Sequence, residues 1–285
     1  MNNRVKPYLL LFPAAMVLFG ILASGIITAL FESFGYMPVV GLREITLKYY
    51  INIFSNNNFI SSLRFSLSTS LISSLIAATG GVTLAYAMLL SQKGRNFEKL
   101  LYKVPIIVPH MVAALLMFNI LSQGGVLPRL LYHLHIINAQ REFPLLVFDK
   151  YGVGIIITYL WKEIPFVAMV VYTFFNNINK SLEEAALNLG ASKNQYFWNV
   201  LLPLSWPSVF SSFIIIFAFS FGAFEVPYLL GPTWPRTLPV QAFIEYSNPD
   251  IFNRPNAMAV NVILILISVI LVWIYDKALG RICRN

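Results

Sequence analysis

Lys162 and Glu163 in "ITYLWKEIPFVAMVV" and Glu225 in "FSFGAFEVPYLL" are ionisable residues set in strongly apolar stretches. A charge inside a membrane span costs at least about 2.5–3.5 kcal/mol, so each needs a partner or a task. Adjacent residues on a helix point about 100° apart, so Lys162 and Glu163 cannot simply neutralise each other. An ion pair between Lys162 and Glu225 and a place along a translocation path remain as alternatives. His110 follows Pro109 and reads as a packing histidine. His133 and His135 lie two residues apart, which sends them to different helix faces and argues against a shared metal. Cys283 is the single cysteine, so neither a disulfide within the chain nor a thiolate cluster is available. The remaining acidic residues are dispersed, and no serine–histidine–acid set emerges. No catalytic residues, no metal ligands and no bound cofactor are expected.

The elements that must carry these residues follow from composition. Of the 285 residues 58% are hydrophobic and only 11% charged, with 23 Phe and 14 Tyr. Mean hydropathy is +0.70. So few charges cannot cover a water-soluble domain, whose charged fraction is roughly 25%, so part of the solvent must be lipid. A span needs about 20 apolar residues to cross the hydrocarbon layer. Tyr8–Phe31, Ser66–Leu90, Val104–Ser122, Gly154–Phe175, Val209–Leu230 and Ala257–Tyr275 qualify. The expected fold is an all-α membrane protein, a six-span helical bundle. It forms a single transmembrane domain over residues 1–285 with its core at about 62–276 and a polar loop at 177–207. The first apolar run is too long for a cleaved signal peptide, and no internal repeat is visible.

Eleven Lys and Arg fall on the side of the termini and seven on the other, with Arg64 and Lys162 at or inside spans. The denser side is expected to be cytoplasmic, which places both termini there. The net charge of +8 is scattered between apolar runs and therefore reads as membrane orientation rather than nucleic-acid binding. On the other side, Thr46–Phe59 reads as a short interfacial helix before an Asn-rich turn. Gln123–Ile136 reads as a Gly-Gly break followed by a helix with Pro128 near its start.

The loop between spans 4 and 5 is polar and patterned. Ser181 precedes Glu184 by three residues, which predicts a capping box. Two Ala- and Leu-rich turns follow, and Gly190 is placed to end them in the left-handed region. Ser192 and Gln195 repeat the box, and Pro203 is expected to stop the second helix. Connections are usually short and unstructured, so two capped helices in one loop point to a rigid knob for docking.

Glu184-Ala185-Ala186, three residues, Gly190, nine residues, Val200, one residue, then Leu202-Pro203 resembles the EAA loop of the membrane subunits of binding-protein-dependent ABC importers of type I fold. Val200 stands where the family more often has Ile. "WKEIPF" and "FGAFEVPYLLGPTWPRTLPV" resemble the family too, especially its permeases for polyamines, iron(III), thiamine and phosphonates. The resemblance covers about Tyr8 to Tyr275. It implies that Glu184, Ala185, Ala186, Gly190, Val200, Leu202 and Pro203 couple the chain to two cytoplasmic ATPase subunits, which would carry ATP and Mg. It also implies a second permease, a copy or a paralogue, and an extracytoplasmic solute-binding protein. The location implied is a bacterial inner membrane. A phosphate-binding GxxxxGK[ST] loop is absent from this sequence, so the ATPase is expected on another chain. The favoured cargo is a polyamine or similar small polar or charged solute. The rival readings are a secondary carrier or channel using Lys162, Glu163 and Glu225, and an intramembrane enzyme. Neither explains the capped loop.

Overall fold

The computed structural model describes residues 6–91 and 103–282. The orienting residues Arg4, Lys93, Arg95, Lys99 and Arg284, and the lone Cys283, lie outside them. The helices are α1 (Lys6–Ser33), α2 (Lys48–Ser55), α3 (Asn57–Leu90), α4 (Val104–Ile107), α5 (His110–Leu121), α6 (Val126–His133) and α7 (Val153–Asn177). They continue as α8 (Lys180–Asn188), α9 (Lys193–Tyr196), α10 (Leu202–Gly222), α11 (Glu225–Leu230), α12 (Leu238–Tyr246) and α13 (Arg254–Ile282). Among the described residues six stretches are long and apolar enough to cross a membrane: Leu10–Ser33, Asn57–Leu90, His110–His133, Val153–Asn177, Lys193–Gly222 and Ile251–Ile274.

Three boundaries differ from expectation, each through the backbone. Span 3 does not begin as one helix at Val104. Val108 sits at ψ 128° before Pro109, because a proline ring disfavours helical geometry in the residue before it. Span 5 does not reach Leu230. The helix ends at Gly222, Ala223 turns to ψ 138°, and Glu225 opens the separate helix α11, which packs against α5 and α7. Pro203 does not stop the helix begun at Lys193. Phe197–Leu201 forms a π turn, in which Leu202 N–H reaches back to the Phe197 carbonyl, and α10 runs on through Pro203. Proline lacks an N–H and its ring crowds the carbonyl one turn back, and the widened turn relieves both. The short helix read within Thr46–Phe59 is present as α2, followed by α3 starting at Asn57, where Asn56 Oδ1 accepts from Asn58 N–H at 2.9 Å. Pro128 likewise lies in the first turn of α6.

The chain packs as two compact units, the residues up to Ile60 with Leu238–Leu266, and Ser61–Thr237 with the chain from Ile267. In the first unit, α1 carries exposed apolar side chains such as Leu11, Leu18 and Leu22 along its length. Arg254 Nε lies 3.3 Å from Glu32 Oε2 within the same unit.

In the second unit, α7 is the central helix. Ala77, Gly81 and Ala85 line one face of α3, and a Cβ on Gly81 would stand 2.5 Å from Val167 Cβ. Small residues let two membrane helices approach this closely. Ala77, Ala85, Val167, Ala168 and Val171 are essentially inaccessible in the resulting core, which Phe175, Phe197, Leu201 and Ile216 extend. A second cluster joins Phe65, Met117, Ile155, Tyr159, Val226 and Leu230. Gly152 opens α7 at φ +70°, where a Cβ would also meet Thr69 at 2.7 Å.

Candidate functional site: the α8–α10 loop and a polar cluster in the bundle

The loop begins at Asn179, whose side chain accepts from Ser181 N–H at 3.1 Å. The expected Ser181–Glu184 capping box is therefore not formed. The helix starts earlier than the sequence pattern implied, so Ser181 is already inside its first turn and its hydroxyl cannot cap. Glu184 is left with no capping task and is exposed. The end of α8 is as read. Gly190 lies at φ +86°. Its N–H bonds the Leu187 carbonyl at 3.0 Å, and Ala191 N–H bonds the Ala186 carbonyl at 3.0 Å. This is a Schellman closure, which requires a left-handed residue and favours glycine. The second capping box is complete. Gln195 N–H donates to Ser192 Oγ at 3.2 Å and Ser192 N–H donates to Gln195 Oε1 at 2.8 Å.

The EAA-like residues divide by direction. Glu184, Ala185, Gly190 and Pro203 are exposed. Ala186, Val200 and Leu202 pack against the core cluster around Phe175 and Val171. Tyr196 and Phe197, at the end of α9 and in the π turn after it, are buried, and the Phe197 ring stands 4.0 Å from that of Tyr86 and 6.4 Å from that of Phe175. Outside, Leu189 is 88% exposed and Trp198 60% exposed. The loop is thus keyed into the bundle on one side and presents a mixed apolar and charged surface on the other.

Inside the bundle, Lys162 and Glu163 are buried on α7. They diverge as neighbours on a helix must. The Lys162 ammonium donates to the Val108 carbonyl, which the break before Pro109 leaves outside any helix. Irregular backbone at membrane depth has to be satisfied by protein groups, and Lys162 does that here. Glu163 Oε1 accepts from Ser220 Oγ of α10, while its Oε2 is buried without a hydrogen-bond partner. Tyr159 is buried beside them, its hydroxyl 3.5 Å from the Ser220 carbonyl. The suggested Lys162–Glu225 ion pair is not formed: among the described residues the salt bridge is that of Arg254 with Glu32. Glu225 stands instead on α11, within electrostatic reach of His110 and Tyr159. A cavity of about 220 Å³ opens between His110, Tyr159, Lys162, Glu163, Ile216 and Phe219. The His110 ring packs 4.5 Å from that of Phe219.

Sequence reasoning missed Val108, Tyr159 and Ser220 as members of this cluster. The signal for Val108 was present in "VPIIVPH", since paired prolines free carbonyls. Nothing local marks Ser220 among the serines of α10.

Residues 57–282 match the sequence model of the binding-protein-dependent transport system inner membrane component family. The chain is 28% identical over 222 residues to the molybdate/tungstate transport system permease protein WtpB of Pyrococcus abyssi, covering 77% of this chain and 79% of that protein. It is 27% identical over 235 residues to the spermidine/putrescine transport system permease protein PotB of Haemophilus influenzae, covering 82% and 79%. Among solved structures, a chain of a bacterial ABC transporter involved in import of the acidic polysaccharide alginate superposes with TM-score 0.80. It is 18% identical, and the match covers 98% of each chain, which speaks for the fold.

Proposed function

We propose, from the premise that this chain belongs to the binding-protein-dependent transport system inner membrane components, that it couples ATP hydrolysis on two partner ATPase subunits to solute import through the α8–α10 loop. The chain is a multi-pass membrane permease. In this reading it pairs with a second permease, a copy or a paralogue, and takes cargo from a solute-binding protein outside the cytoplasm. ATP and Mg belong to the ATPase chains.

The observation that carries the reading is the two-sidedness of the loop. Its outward residues, Glu184, Ala185 and Gly190, face solvent, while Ala186, Val200 and Leu202 are packed into the bundle core. A rigid body gripped by the core transmits a push from a moving partner to α7 and α10. Those two helices hold Glu163 and Ser220, so motion of the loop reaches the polar cluster. The cavity beside Lys162 and Glu163 is the stretch of path assigned to this subunit.

Relatives transport chemically opposite solutes, molybdate/tungstate and spermidine/putrescine by their names. A small polar or charged solute, a polyamine foremost, is the cargo proposed here. The binding protein sets much of the selection.

The test is reconstitution of the chain with its ATPase and binding protein in vesicles. Uptake is expected to require ATP, and Glu184→Lys is expected to abolish ATPase co-purification or uptake while membrane insertion persists. Uptake by the chain alone, without ATP, would point to a secondary carrier. Orientation has its own test in a Cys283→Ser background. A cysteine at Asn57 should react with an impermeant thiol reagent in intact cells, and one at Gly94 only after permeabilisation.

A further inference from the structure

A second cavity, of about 230 Å³, lies wholly within the first unit. Its walls carry the carboxamides of Asn52, Asn56, Gln241, Asn253 and Asn256 around one carboxylate, that of Glu245. Ile53, Phe59 and Val260, all buried, supply an apolar floor. The wall residues lie in the connections before spans 2 and 6 and at the starts of those spans. In a six-span chain these emerge on the side opposite the α8–α10 loop.

The lining has charge of one sign. Among its residues there is no lysine or arginine. Arg254, beside Asn253 in sequence, is engaged elsewhere. Its guanidinium lies 3.3 Å from Glu32, donates to the Tyr246 hydroxyl at 2.8 Å and stacks 4.7 Å from the Tyr246 ring centroid. Glu245 is held rather than neutralised. Its Oε1 accepts from Gln241 Nε2 at 3.0 Å and its Oε2 from Asn253 Nδ2 at 2.6 Å. Asn253 Oδ1 in turn accepts from Asn256 Nδ2 at 2.7 Å. Carboxamides carry no net charge and bring the carboxylate no counter-charge, and each of its oxygens retains a further lone pair.

A fixed carboxylate held by the N–H groups of Gln241 and Asn253, among neutral carboxamides and over an apolar floor, complements an ammonium group on a short alkyl chain. The ammonium N–H groups meet the remaining lone pairs of Glu245, and the methylenes cover Ile53, Phe59 and Val260. An oxyanion meets repulsion there and no counter-charge. We infer that this cavity is a receiving site for a small alkylammonium or diamine solute on the face opposite the coupling loop. The inference rests on the importer reading and narrows its cargo class.

The experiment titrates the full-length chain in lipid nanodiscs, without binding protein, with 1,4-diaminobutane and separately with sodium sulfate. The diamine is expected to bind and sulfate is not. Glu245→Gln is expected to weaken diamine binding by about tenfold or more, since it removes the charge that the ammonium pairs with. Asn56→Asp guards against a folding artefact, because its carboxylate retains the acceptor that Asn56 offers Asn58 N–H. It adds a second negative charge and is expected to tighten the diamine by about three- to tenfold. Sulfate binding to the wild type, absence of diamine binding, or equal diamine affinity in both variants overturns the site. ATP-driven uptake by the assembled importer separates the two readings. Uptake without diamine binding sinks the site alone, and diamine binding without any ATP-driven uptake keeps the site and sinks the importer.

Discussion

The α8–α10 loop and the cluster around Lys162 both insert polar groups into an apolar chain, and they satisfy those groups at different ranges. In the loop, Asn179 serves Ser181 and Ser192 serves Gln195, two and three residues away. In the cluster, Lys162 serves a carbonyl 54 residues earlier and Glu163 takes a hydroxyl 57 residues later. Local satisfaction makes the loop a body that holds its own shape. Long-range satisfaction makes the cluster report on how α4, α7 and α10 are packed. A device that must dock to another protein needs the first property. A device that must change as helices shift needs the second.

The contrast can be broken most forcefully in the cluster. Lys162→Glu places a second carboxylate beside Glu163 and strips the Val108 carbonyl of its donor. Thermal unfolding in detergent should show a loss of about 3–5 kcal/mol, the usual result of leaving buried charge uncompensated. A stability change within error would mean that the Lys162 contact is incidental.

Gly190→Val should cost about 1–2 kcal/mol by forcing a β-branched residue into the left-handed region. No atom lies within 4 Å of a Cβ there, so the cost is in the backbone and stays in the loop. Uptake by reconstituted vesicles should fall severely while the bundle unfolds at nearly the wild-type temperature. Equal losses in both readouts would show that the loop is not an independent body.

A double-mutant cycle on Glu163→Gln and Ser220→Ala should give a coupling of about 0.5–3 kcal/mol, as groups in one hydrogen-bonded network do. Simple additivity of the two unfolding free energies would remove the link between α7 and α10.

The smallest effects sharpen the loop. Asn179→Ala should destabilise α8 by about 1 kcal/mol as a lost cap, and Ser192→Ala should do the same to α9. Ser181→Ala should change almost nothing, since Asn179 holds the cap. Hydrogen exchange at the Ser181, Leu182 and Gln195 amides reads all three. Faster exchange on Ser181→Ala than on Asn179→Ala would restore Ser181 as the cap.

These ranges also explain what could be read in advance. The second capping box, the left-handed Gly190 and the break at Gly124-Gly125 were legible because each depends on residues within one turn. The first cap was misplaced by two positions because Asn179 and Ser181 are both good caps, and the choice turns on where α7 ends. Pro203 was misread because a π turn is an alternative to termination that proline alone does not announce. The Lys162–Glu225 pair between spans 4 and 5 was one of two alternatives the sequence left open. It is not formed because the chain leaves the helix at Ala223 and Glu225 opens the separate helix α11.

By itself, then, the sequence determined the membrane setting, the six crossings and the loop with its EAA-like spacing. Hydrophobic run length and short-range capping chemistry are properties of contiguous residues. Only the tertiary structure decided which loop residues face outward, that Lys162 serves the Val108 carbonyl, that Ser220 serves Glu163, and that Glu245 stands among five carboxamides in one cavity. Those facts depend on helices distant in sequence packing at a given rotation and depth. Close packing of whole helix faces, such as Gly81 against Val167, sets that rotation, and no short window of sequence contains it.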